Sequence, residues 1–148
     1  MTFTLRPATT EDADWLFTVR RETMRAYVES AFGIWDDAAQ RERFDRSIEI
    51  ANMQVIMVGR QPAGLLHIER ERERAFLANI QILPKFQNKG LGTAVIRSVL
   101  AEARQSGRTV TLQVLLVNER ARQLYEKLGF LATSRTESHV RMVWRAPR

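Results

Sequence analysis

The chain has no cysteine. Disulfides, thiolate metal sites and a cysteine nucleophile are therefore excluded together. Only three lysines occur, Lys85, Lys89 and Lys127, so twenty of the 23 cationic side chains are arginine. The two histidines, His67 and His139, lack nearby carboxylates at ligand spacing, and no metal site is expected. No segment approaches the roughly 18 consecutive apolar residues of a membrane span. The first residues, Met1 to Asp14, turn acidic where a secretory leader is apolar, and a cytoplasmic protein is the expectation. Linkers, low-complexity tracts and internal repeats are also missing, so residues 1–148 are expected to form one unit.

What is present is ordinary for a globular protein: 148 residues, 45% hydrophobic and 27% charged. A chain of this length typically buries about 68–70% of its unfolded surface, enough for a core without staples. The net charge of +6 suggests nucleic acid, an anionic membrane or a phosphorylated ligand as partner. The placement of the charges argues against the first two. Arginines are scattered from Arg6 to Arg148 and often stand beside acids, as in Glu69-Arg70-Glu71-Arg72-Glu73-Arg74. That pattern reads as a solvated, self-compensating surface, with no nucleic acid or membrane partner expected.

Thr2 to Leu5 is a short β-prone run stopped by Pro7. Thr9 or Thr10 offers an N-cap, and acids suit the first turn of the helix that follows. Gly33 breaks that helix, and Asp36 or Asp37 can cap a second one. Val55 to Val58, Ala63 to Glu69 and Ala75 to Leu83 read as three strands, with Gly59 to Pro62 as a turn. Gly90 to Ser106 reads as a helix, with Leu91, Val95, Val99 and Ala103 on one face. Thr109 to Val117 is a strand, Asn118 to Leu128 a helix, and Phe130 to Thr133 and Val140 to Trp144 two final strands. The order β-α-α-β-β-β-α-β-α-β-β is a mixed α/β layout, with an antiparallel meander and one βαβ crossover.

Chemistry concentrates between Ile80 and Gly92. A strand ends at Pro84, a polar turn follows, and Gly90 and Gly92 open a helix. Glycines let backbone approach a ligand closely. Free N–H groups and partial positive charge at a helix start make a cradle for phosphate. Lys89 adds a full charge. A Walker A loop is ruled out because Thr93-Ala94 follows Gly92, and a dinucleotide fingerprint because Val95 stands where a third glycine or alanine belongs. On the glycines alone, a plain strand-to-helix turn reads equally well.

A second segment runs from Asn118 to Phe130. Asn118 can cap its helix, and Tyr125, two turns on, shares its face. Taken singly, Tyr125 reads as a packed aromatic. Together the two segments resemble the GNAT superfamily of acetyl-CoA-dependent N-acetyltransferases. Gln87-Asn88-Lys89-Gly90-Leu91-Gly92 is similar to its Gln/Arg-x-x-Gly-x-Gly/Ala motif, and Leu124-Tyr125-Glu126-Lys127-Leu128-Gly129-Phe130 to its second signature. The order of elements resembles that fold across nearly the whole chain.

The resemblance implies a central mixed, mostly antiparallel sheet flanked by helices, forming a single N-acetyltransferase domain over residues 1–148. It implies acetyl-CoA as cosubstrate and a primary amine, of a small molecule or a protein, as acceptor, attacked directly in a ternary complex. Gln87, Asn88, Lys89, Gly90, Leu91, Gly92 and Thr93 would hold the pyrophosphate. Ile82 and Leu83 would pair with the pantetheine arm, and Asn118 would bind coenzyme or orient its helix. That strand and Thr109 to Val117 should splay apart at a bulge. Tyr125 would be the general acid for the thiolate. For the base, Glu29 near the loop between the first helices is the first candidate, with Glu69, His67 and a water chain as others. Tyr27, Phe32 and Trp35 read as core packing of the first helices or as an aromatic wall, and Trp35-Asp36 as a place for the amine. Edge strands near the C-terminus offer a surface for a homodimer. The competing reading is a non-catalytic GNAT-like module that binds acyl-CoA or nucleic acid.

Overall fold

Among the described residues, alternating β-branched residues and glycine or proline punctuation mark out seven strands and four helices. The computed structural model describes residues 2–147. Strand β1 is Thr4–Pro7, followed by a 3₁₀ turn, Thr10–Asp12. Helices α1 (Ala13–Phe32) and α2 (Asp37–Ser47) come next. A meander follows of β2 (Met53–Val58), β3 (Gln61–Arg70) and β4 (Arg74–Ile82). Helix α3 (Leu91–Ser106), β5 (Thr109–Leu115), α4 (Glu119–Lys127), β6 (Leu131–Arg135) and β7 (His139–Trp144) complete the chain. The seven strands form one sheet in the order β1-β2-β3-β4-β5-β7-β6. Among the described residues, β4 and β5 are the one parallel pair, joined by the α3 crossover. The expected mixed, mostly antiparallel sheet flanked by helices is observed.

Some boundaries move, for local reasons. Pro62, expected in a turn, lies inside β3 opposite Met57, where the register slips. Its missing N–H is tolerated at that irregularity. Asp36 is the N-cap of α2 and accepts from Ala39 N at 3.1 Å. Thr9 precedes a 3₁₀ turn rather than the long helix, which begins only at Ala13.

The sheet is covered on both faces. On one, the α3 stripe Leu91, Val95, Ile96 and Val99 packs against Ile68, Leu77, Val110 and Leu112. On the other, Leu16, Phe17 and Val19 of α1 and Phe44 of α2 pack against Val55 and Leu65. Each such buried side chain contributes about 1.5–3 kcal/mol. At Gly64, β3 passes so close to β4 that a Cβ would lie 2.2 Å from the Gln81 carbonyl oxygen. Glycine is required there by contact, not by dihedral angle.

Candidate functional site

The centre of the sheet opens. Strand β4 pairs with β5 only from Arg74↔Thr109 to Leu77↔Leu112. On the other side of β4, His67 faces Asn79 and Ile68 faces Leu77, so Ala78 is an extra residue, a β-bulge. The bulge turns the rest of β4 away from β5. Beyond it, β4 stays paired to β3 as far as Ile82, and β5 to β7 as far as Leu115. The facing backbone of the two strands is left without a partner strand. A cleft of about 310 Å³ lies at the gap, lined among others by Asn118, by Ala121 and Tyr125 of α4 and by Arg20, Met24 and Phe32 of α1.

The glycine loop lies at the far end of β4. Gln87 Nε2 donates to the Ile82 carbonyl at 2.8 Å, tying the loop to the strand. Arg120 of α4 donates to Asn88 Oδ1 and braces the loop from the other side. Asn88 and Gly90 both take left-handed dihedrals, with φ of 63° and 79°. The first intrahelical bond of α3 is Ala94 N to the Gly90 carbonyl at 3.0 Å. The amides of Leu91, Gly92 and Thr93 therefore precede any helical acceptor. A Cβ on Gly90 would meet nothing within 4 Å, and one on Gly92 only Ile82 at 3.8 Å. Open space over a helix start, with Lys89 exposed beside it, fits a phosphate-bearing ligand.

Asn118 caps α4, accepting from Ala121 N at 3.2 Å, and this cap aims the helix so that Tyr125 reaches the cleft. Tyr125 packs edge-on against Phe130, ring centroids 5.6 Å apart. Burial alone pushes its phenol up to about 12. The proton is held tightly throughout the neutral range.

A smaller cavity of about 250 Å³ shares Arg20, Arg43, Asn79 and Gln81 with the cleft and adds His67. His67 is buried, and its Nε2 has no hydrogen-bond partner among the described residues. Glu69 Oε1 stands 3.8 Å from that atom. Burial pushes the His67 imidazole down, against weaker opposing pulls from Glu69 and Glu49. Donor atoms of Glu49, His67 and Glu69 all lie within 4.8 Å of one another. The expectation that neither histidine has nearby carboxylates is thus corrected: Glu69 shares the face of β3 with His67, and Glu49 arrives from the turn before β2.

Of the residues expected at the coenzyme, Asn118 and Tyr125 line the cleft. Ile82, Leu83, Gln87, Asn88, Lys89, Gly90, Leu91, Gly92 and Thr93 line neither cavity, and their loop is tied to β4 through Gln87 and to α4 through Asn88. Glu29, Tyr27, Trp35 and Asp36 do not line either cavity. Glu29 is exposed and pairs with Arg25 one turn earlier, at 3.2 Å. Trp35 is buried against Phe17 and donates to Asp37 at 3.0 Å, and Asp36 is engaged as the α2 cap. Phe32 does reach the cleft. Arg20, Gln40, Arg43, Asn79 and Gln81 line it and were missed. Asn79 and Gln81 carried a signal, two polar residues at strand spacing inside an apolar run.

Comparison with known proteins bears on the family and the fold. The family model of FR47-like proteins matches residues 62–140. Over 67 residues the chain is 33% identical to the uncharacterized N-acetyltransferase CgeE of Bacillus subtilis (strain 168), covering 45% of this chain and 26% of that one. Over 76 residues it is 34% identical to the uncharacterized N-acetyltransferase MJ1207 of Methanocaldococcus jannaschii, covering 51% and 34%. The matched segments thus span a quarter to a third of those relatives. The PaiA N-acetyltransferase of Thermoplasma acidophilum, solved in complex with coenzyme A, superposes with a TM-score of 0.81 at 18% identity, over 99% of this chain and 100% of that one. The ribosomal-protein-S18-alanine N-acetyltransferase of Escherichia coli does so with 0.73 at 21%, over 97% and 94%. The fold is that of the GNAT superfamily. Within it, the chain belongs to the FR47-like family. Among the described residues no helix is long and apolar enough to cross a membrane.

Proposed function

We propose that the protein is an acetyl-CoA-dependent N-acetyltransferase that acts on a primary amine by direct attack in a ternary complex. The observation that carries this reading is the opening between β4 and β5, with Tyr125 of α4 lining it and the glycine loop braced to the same helix. An unpaired strand edge suits an extended arm bearing amides, and the open start of α3 suits a pyrophosphate.

The bound cosubstrate supplies an acetyl thioester. The loop from Gln87 to Thr93 holds the phosphates through backbone N–H groups, with Lys89 beside them. Ile82 and Leu83 hold the arm, and free backbone N–H groups of β4 polarise the carbonyl. Tyr125 is the general acid. Its raised affinity for the proton keeps it in the donating form until a departing thiolate takes the proton. His67 replaces Glu29 as our candidate base, because it is held neutral and lines the acceptor-side cavity with Nε2 free. It takes the proton that the amine loses, directly or through water.

Thermal melting with acetyl-CoA tests the reading. At a hundredfold excess over the dissociation constant, stabilisation should be about 2.7 kcal/mol, a rise of roughly 5–10 °C for a chain of this size. Thiol release with an amine panel then reads turnover. No shift at millimolar coenzyme, with salt-dependent binding to random DNA instead, would favour a nucleic-acid module.

A further inference from the structure

We infer that the acceptor side of the cleft is built for a small amine that also carries an anionic group, a carboxylate or a phosphate, held by Arg20 and Arg43. This rests on the acetyltransferase reading and specifies its acceptor.

What distinguishes Arg20 and Arg43 is that they line the cavities without an acid, among the described residues, to pair with. Arg6, Arg21, Arg25, Arg41, Arg70 and Arg74 each stand within ion-pair distance of an acid. Arg20 of α1 and Arg43 of α2 line both cavities, and among the described residues neither has an ion-pair partner. Burial disfavours the charge on the Arg20 guanidinium, and the nearby charge of Arg43 adds to that. Two neighbouring cations in a concave site, Arg20 half-buried and Arg43 exposed, lack a counter-charge among the described residues, and an anionic ligand group supplies it.

The same wall holds polar atoms with nothing to bond. Gln40 Oε1 and Gln81 Oε1 are buried without a hydrogen-bond partner. Gln81 is only 5% exposed and uses its Nε2 to reach Asn79 Oδ1 at 3.2 Å, which leaves its oxygen for an outside donor. Buried polar atoms are rarely orphaned in the working state of a protein. An amine N–H satisfies these oxygens while its anionic end meets the arginines. The linked cavities, about 250 and 310 Å³, match a small molecule and are too narrow for a nucleic-acid duplex.

The test uses matched amines that differ in one group: an amino acid, its carboxamide, and an aminoalkyl phosphate of similar length. Binding is measured calorimetrically on the full chain saturated with coenzyme A, and turnover by thiol release. Expected is a preference of roughly tenfold or more for an anionic amine over the carboxamide, collapsing toward parity in Arg20→Gln and Arg43→Gln. Whether carboxylate or phosphate binds more tightly identifies the group. Arg43 is exposed, so its substitution leaves folding intact, and Arg20→Lys should restore part of the preference. Equal affinity for charged and neutral partners, or equal losses on both in the variants, would overturn the inference. Arginine-dependent binding of anionic amines without acetyl transfer would sink the acetyltransferase reading and leave the pocket standing.

Discussion

Replacing Tyr125 by phenylalanine should separate chemistry from stability. The ring is almost wholly buried and packs on Phe130, and phenylalanine preserves both features. No hydrogen bond joins the hydroxyl to another described residue. At pH 7 the unfolding free energy should therefore change by less than about 0.5 kcal/mol. Turnover should fall roughly 10²–10⁴-fold, the usual worth of a positioned acid, while the coenzyme's melting shift persists. The alkaline limb gives an independent check. The folded phenol holds its proton up to about 12, against 10.0 for a free tyrosine. A group whose folded pKa is raised adds stability that is full below the unfolded value and is lost as pH rises through the folded one. The wild type should lose roughly 2–3 kcal/mol relative to Tyr125→Phe as the pH rises from 10 to 12. Urea titrations of both proteins at pH 7, 10 and 11.5 measure it. Parallel curves over that window would refute the burial argument. Unchanged turnover would remove Tyr125 from the mechanism.

Two further outcomes test the scaffold. Gly64→Ala places a methyl 2.2 Å from the Gln81 backbone oxygen and should lower stability by about 2–3 kcal/mol in a denaturant melt, whereas an unchanged midpoint would mean β3 and β4 part freely. Asp12 accepts two bonds of 2.9 Å from Arg6, which hold its carboxyl at about 2, below the unfolded 3.8. Its contribution is therefore full above 3.8 and disappears as pH falls through 2. Asp12→Asn should cost about 1 kcal/mol at pH 7, after screening of this part-exposed pair, and nothing below pH 2. An equal gap at both pH values would contradict it.

Local signals were readable in the sequence; signals that depend on packing were not. Pro84, the paired glycines, and Asn118 two turns ahead of Tyr125 act within a few residues of themselves, so spacing reveals them. Glu29 and Trp35 show the contrary case. Their helix and loop were foreseen, but the face each presents is decided by how α1 and α2 seat on the sheet. Trp35 turns inward to Phe17, and Glu29 turns outward to Arg25. Arg20 and Arg43 looked like two more members of a charged surface. Only the tertiary fold sets them against Asn79 and Gln81, on the far side of the chain.

The parting of β4 and β5 gives the sheet an interior edge. Unpaired strand edges usually lie at the margins, where they invite another chain and must be blunted by proline, charge or bulges. Here Pro7 sits on one margin and polar residues of β6 on the other, while the unpaired edge lies in the middle of the sheet, in a cleft lined by α1 and α4. A second sheet cannot dock there. A single narrow strand-like molecule can, so the hazard of an open edge is kept from association and its hydrogen-bonding capacity is reserved for a guest of the right width.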